Sequence, residues 1–215
     1  MGIKERKERH KEDLKQLILD TAKSLFTRYG YEATSIRKIA AEIEFSPTTI
    51  YLYYKDKSDI IYALHQEGFK LLSDRFVTLS NVEHPFERLK AMGRTYIQFA
   101  LENSDFYELM FIMREPLDFL DTHCGEMDGD GWPEGDATFN SLIMTIMQCQ
   151  EYGYFKGHET KTFALLVWST VHGLCSLTVH GHLEHIVKNR QFFDSGISAM
   201  EASFNSFLQM LESMK

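Results

Sequence analysis

The chain of 215 residues has only four prolines and three cysteines, and its longest uninterrupted apolar run is Phe163 to Trp168. Each shortage excludes something. A membrane-spanning helix needs roughly 20 apolar residues, so no membrane partner is expected. Cys124, Cys149 and Cys175 are odd in number and share no CxxC spacing, which favours reduced thiols and a cytoplasmic location over a disulfide framework. The charged stretch Met1 to Lys15 lacks the apolar segment of a secretory signal. No nucleophile–base motif, P-loop or dinucleotide fingerprint occurs, so neither an enzyme nor a cofactor is expected. Glu126, Asp128, Asp130 and Gly131 mimic the start of a calcium loop, but Ala137 stands where that loop needs a bidentate glutamate. His172, His180, His182 and His185 read more simply as helix-end and interface residues than as ligands, and no metal is expected. Strand alternation and internal repeats are missing too.

What remains is helical. Apolar residues make up 44% of the chain, enough for a packed core. Leu14, Leu17, Ile18, Leu25, Phe26 and Tyr29 recur at steps of three or four and predict a helix over 14–29, stopped by Gly30. Thr34 or Ser35 caps a short second helix, and Ser46-Pro47 starts a short third one ending near Tyr54. Ser58 is a candidate cap for a longer helix over 58–79. His84-Pro85 opens a fifth, and Asn103 or Ser104 caps a sixth that ends before Pro116. Residues 118–136, rich in glycine and acid, read as the one long loop. Helices follow at about 137–153, 160–183 and 190–213. The fold class is all-α with about nine helices.

Charge is unevenly placed. Residues 1–57 sum to +3 and the remainder to −11, giving the net −8. A mildly basic end on an acidic body suits a nucleic-acid reader joined to a partner domain. The spacing of residues 34–54 fits a helix-turn-helix, whose second helix enters the major groove by its N-terminal end. Pro47, Thr48 and Thr49, behind Ser46, stand there. Small residues permit close approach, and a threonine hydroxyl or methyl can meet a base edge. Tyr51, Tyr53 and Tyr54 cannot all face one core, so Tyr54 is placed inside and the other two outside. Ile36, Ile39, Ile43, Phe45 and Ile50 are assigned to structure.

Ile18 to Tyr31, Thr34 to Ile43 and Ser46 to Lys57 together resemble the TetR/AcrR family of repressors. That resemblance implies a three-helix DNA-binding domain over 1–57 and a ligand-binding and dimerisation domain over 58–215. It implies that Arg37 and Lys38 approach the DNA, Arg37 with the fork that suits guanine, and that Ser35, Tyr51, Tyr53 and Lys57 contact phosphates. The family usually has glycine at the first turn position, where φ is positive; here Glu44 stands there. Trp168, His172 and Gly173 are similar to a Trp…His-Gly motif of one C-terminal domain type in the family. A small apolar effector is expected among Tyr96, Phe99, Met110, Met113, Met147, Trp168 and His172, with Gln148 as a further polar group. Helices 160–183 and 190–213 are apolar on more than one face, which suits a homodimer on a palindromic operator.

Overall fold

The computed structural model describes residues 3–123, 133–190 and 193–215. It is 81% helical. Among the described residues there are eleven α-helices and one 3-10 turn. In chain order these are α1 (Ile3–Tyr29), α2 (Ile36–Glu42), α3 (Pro47–Tyr51), α4 (Lys57–Val77), the 3-10 turn Thr78–Asn81, α5 (Pro85–Glu102), α6 (Ser104–Phe111), α7 (Glu115–His123), α8 (Pro133–Glu151), α9 (Thr160–Val179), α10 (His182–Arg190) and α11 (Gly196–Glu212).

The chain divides into two compact units. The first holds Met1–Phe69 and Asp105–Pro133; the second holds Lys70–Ser104 and Glu134–Lys215. The first is built on the apolar stripe of α1. Leu14, Ile18, Leu25 and Phe26 are buried with Ile36, Ile39 and Ala40 of α2, Ile50 of α3, and Ile60, Ile61 and Leu64 of α4. Burying such a set supplies most of the favourable free energy of a unit this size. Two members of the expected stripe, Leu17 and Tyr29, stay exposed. Beneath α6, Gly68 lets α4 approach closely, since a Cβ there would stand 2.6 Å from the Met110 sulfur.

In the second unit α9 packs against α5, α10 and α11. Its core includes Phe86, Met92 and Phe99 of α5, Ile146 and Cys149 of α8, Phe163, Val167, Val171 and Cys175 of α9, and Phe204, Leu208 and Leu211 of α11. The last turn of the chain is tied in by the Phe155 amide, which donates to the Met214 carbonyl at 2.9 Å.

Several boundaries differ from expectation. α1 begins far before residue 14, because its charged start needs no apolar stripe to stay helical. Asp56, not Ser58, caps α4: its carboxylate accepts from the Asp59 amide at 2.9 Å. Pro116 does not stop a helix; it sits in the first turn of α7, where its missing N–H costs nothing. The expected loop therefore shrinks: residues 118–123 belong to α7 and 133–136 to α8. Cys124 and the calcium-loop mimic lie outside the described residues. The expected 160–183 helix ends at Val179, where Gly181 (φ +74) allows the turn into α10. The last helix starts at Gly196 rather than 190, because Ser195 forms a capping box with Ser198. By length and composition alone α9 could cross a membrane. Uninterrupted apolar runs missed this, because polar residues, among them Ser169, Thr170, His172 and Ser176, interrupt the helix.

Candidate nucleic-acid interface

The first unit carries two short capped helices, α2 and α3. Ser35 caps α2, its hydroxyl accepting from the Lys38 amide at 3.2 Å. Thr34, the other candidate, is buried: its hydroxyl donates to the carbonyls of Gly30 at 2.9 Å and Leu25 at 3.2 Å, locking the end of α1 to the start of α2. Ser46 caps α3, accepting from the Thr49 amide at 3.2 Å, and Pro47 supplies the first helical residue.

The turn between them is a Schellman motif. The Phe45 amide donates to the Ala40 carbonyl at 2.9 Å and the Glu44 amide to the Ala41 carbonyl at 3.2 Å. Glu44 adopts φ 58, the left-handed conformation expected at this position. The same turn corrects two expectations. Phe45, assigned to the core, is 41% exposed, and Ile43 is only half-buried. The positive φ carries the chain away from the core before Phe45 is placed.

Arg37, Thr48 and Tyr51 are exposed, while Pro47, Thr49 and Tyr53 are half-buried and Tyr54 is buried. Thr49 spends its hydroxyl on Ser46, at 3.0 Å. The lysines are held within the chain. The Lys38 ammonium lies 3.7 Å from the centre of the Tyr29 ring. The Lys57 ammonium donates to the Tyr31 carbonyl at 2.8 Å and lies 3.8 Å from the Tyr31 ring centre. Such contacts place a cation without neutralising it. Leu52, 75% exposed at the end of α3, was missed by sequence reasoning. Its position directly after Tyr51 was the available signal.

The residues expected around an effector are divided. Tyr96, Trp168 and His172 meet in the second unit. The Trp168 indole N–H donates to the Tyr96 hydroxyl at 3.3 Å, and that hydroxyl lies 2.9 Å from Nδ1 of His172. Burial pushes His172 below the ordinary histidine pKa. The Tyr96 hydroxyl thus links Trp168 to His172, and the His172 tautomer sets the direction of the second bond. Phe139 packs on Trp168, ring centres 5.8 Å apart. Phe99 is fully buried, with the Arg75 guanidinium 5.5 Å from its ring centre. Met147 faces outward, 38% exposed. Met110 and Met113 belong to the first unit, whereas Tyr96, Trp168 and His172 belong to the second. Gln148 is bonded to Arg88, a residue sequence reasoning did not single out.

Other reactive groups are quiet. Burial pushes the Cys149 and Cys175 thiols up to about 12. Nδ1 of His180 lies 2.8 Å from the Ser176 carbonyl, and Nε2 of His185 lies 3.0 Å from the Asn189 amide nitrogen. Among the described residues no group of three or more His, Cys, Asp or Glu is placed to hold a metal ion.

A helix-turn-helix with an open N-terminal end, attached to a helical body, defines a DNA-binding regulator. Residues 18–64 match the family described as bacterial regulatory proteins, tetR family, and residues 89–200 match the tetracyclin repressor-like C-terminal domain. The chain belongs to the TetR family of bacterial regulatory proteins. An HTH-type transcriptional regulator of Staphylococcus aureus (strain USA300) is 29% identical over 90 residues, 41% of this chain. The chain spans about half the length of the curated relatives it matches, 49% for that one. The fold is similar to that of the fatty acid degradation regulator FadR from Bacillus halodurans, with TM-score 0.68 and 18% identity over 92% of this chain and 93% of the other. It is also similar to that of the TetR-family regulator PfmR from Thermus thermophilus, with TM-score 0.64 and 21% identity over 91% and 97% of the two chains. Regulators of this family bind DNA operators and usually act as dimers.

Proposed function

We propose that this protein is a cytoplasmic homodimeric repressor that holds a palindromic operator and releases it when a small apolar effector binds. Residues 1–57 read the DNA and residues 58–215 bind effector and partner. The observation that carries this reading is the open end of α3: Ser46 satisfies the first turn internally, leaving Pro47 and Thr48 at the groove-facing terminus with Arg37 and Tyr51 exposed beside it. Arg37, Lys38, Thr48 and Thr49 meet base edges, and Arg37 suits guanine. Ser35, Tyr51, Tyr53 and Lys57 meet phosphates.

The dimer forms through α9 and α11. On α9, Leu166, Thr170, Gly173 and Leu177 recur at helical spacing; Leu166 is 58% and Leu177 41% exposed, and a Cβ on Gly173 would meet nothing within 4 Å. A second copy covers that stripe; Ile197 and Met210 of α11 are also exposed. The effector lies against Tyr96, Trp168 and His172, with Phe99 beside them in the same unit. Effector binding shifts the population toward a dimer whose heads no longer match half-sites about 34–36 Å apart.

Gel-shift titration against the DNA upstream of the protein's own gene tests the reading. Tyr51→Ala with Lys57→Ala is expected to weaken binding to every sequence and flatten the salt slope by about two phosphate contacts. Equal binding by this double variant at every salt concentration overturns the phosphate assignment. Arg37→Ala is expected to change sequence preference instead.

A further inference from the structure

Arg88 lies on α5, half-buried inside the second unit. One guanidinium nitrogen donates to the Gln148 side-chain oxygen of α8. Its charge also reaches the fully buried Cys149 thiol on the next residue of α8. A guanidinium has five N–H donors and a permanent charge. Drawn partly out of water, it ordinarily takes a carboxylate partner. The neighbouring cations of the same unit do so: Arg75 pairs with Glu102 at 3.0 Å and Lys90 with Glu87 at 2.5 Å. Arg88 has no ion-pair partner among the described residues, only a neutral amide that uses one donor.

The same face of α5 continues to the cluster already described. Met92 follows one turn on, its sulfur accepting from the Thr145 hydroxyl of α8 at 3.4 Å. Tyr96 follows another turn on, bonded to Trp168 and His172 of α9. Arg88 and Tyr96 therefore stand about 12 Å apart along one helix, at 1.5 Å per residue. One end of this row carries a fixed positive charge, the middle is apolar, and the far end is aromatic with neutral hydrogen-bonding groups.

We propose that Arg88 binds the head group of the effector, which is an amphipathic organic anion with a carboxylate or phosphate at one end and an apolar body along Met92, Phe139 and Trp168. The proposal rests on the effector reading above and sharpens it from a neutral apolar ligand to a charged one. Gln148 is a positioning residue: it takes one donor and turns the remaining fork toward the ligand. A planar fork matches either oxyanion with two parallel bonds.

Calorimetric titration of the full-length protein with dodecanoate, dodecyl phosphate and dodecanol at pH 7.5 tests this. The wild type is expected to bind at least one of the two anions about tenfold or more tighter than dodecanol, the scale of a charge-assisted pair. Arg88→Gln is expected to lose that preference with dodecanol affinity unchanged, and Arg88→Lys to keep part of it. Unchanged dodecanol affinity in Arg88→Gln also shows that the variant is folded. Equal binding of all three probes by wild type, or an anion preference that survives in Arg88→Gln, overturns the proposal and leaves the apolar-effector reading standing. Failure of all three to bind the wild type overturns both.

Discussion

Glu44 holds a backbone conformation (φ 58) that L-residues enter at a cost of about 1 kcal/mol, in the turn between α2 and α3. Its side chain is exposed, so it gains no packing in return. It also places a negative charge beside a surface proposed to face phosphates. Glu44→Gly removes the strain but adds freedom to the unfolded chain, so the net gain is expected to be several tenths of a kcal/mol. Urea denaturation of the two proteins checks this, and a lower midpoint for the glycine variant refutes it. Operator affinity at low salt is expected to rise as well, since one repulsive charge is gone. This position was legible through the family resemblance, which puts glycine, the residue of positive φ, where Glu44 stands. Phe45 was not legible: assigned to structure by its apolar side chain, it is 41% exposed, because the positive φ of Glu44 turns the chain before it.

At the scale of the element, α4 carries a buried histidine that polar patterning did not flag. His65 is fully buried, its ring centre 4.9 Å from that of Phe69. Burial pushes its pKa down to about 4, against 6.5 for the free side chain. The neutral form is therefore the one that folds. Between pH 6.5 and 4 the unfolded chain binds a proton that the folded chain does not, so stability falls as pH drops through this window. The whole effect is on the order of 3 kcal/mol, from about 1.4 kcal/mol per unit. Urea melts at about pH 7 and about pH 4.5 are expected to show most of that loss in wild type and much less of it in His65→Leu; equal losses in both proteins remove His65 as the cause. Helix ends follow the same logic of local chemistry. Gly30, Ser46-Pro47 and His84-Pro85 were readable because each changes backbone options in a way no tertiary contact overrides. α7 and α10 were not, because Pro116 serves equally as a stop or as a first-turn residue, and Gly181 divides a run of uniform helical character.

For the whole molecule, the difference in legibility between its two ends has a physical cause. The proposed reading end is specified by caps and turn chemistry acting over a few residues. The proposed effector region is specified only by which apolar residues are left near a polar group, and core and pocket draw on the same residue types. Hence Tyr96, Trp168 and His172 meet as expected, Met147 does not join them, and Arg88 was passed over because a lone arginine in an amphipathic helix looks like surface. Assembly is where these ends must connect. α9 is apolar enough by composition for a bilayer, yet the structure leaves Leu165, Leu166 and Leu177 exposed. A second copy on the Leu166–Thr170–Gly173–Leu177 stripe removes that surface from water, and at about 25 cal/mol per Å² several leucines contribute a large share of the association free energy. Leu166→Glu puts a charge into the middle of that contact with no partner to meet it. Alone on a free surface the same change is nearly neutral. Sedimentation at micromolar concentration is therefore expected to show wild-type dimers and variant monomers, with the helical circular dichroism spectrum unchanged. Operator affinity of the variant is expected to fall by two or more orders of magnitude, because each head then binds its half-site without the other. A Leu166→Glu protein that still sediments as a dimer places the two-fold contact elsewhere.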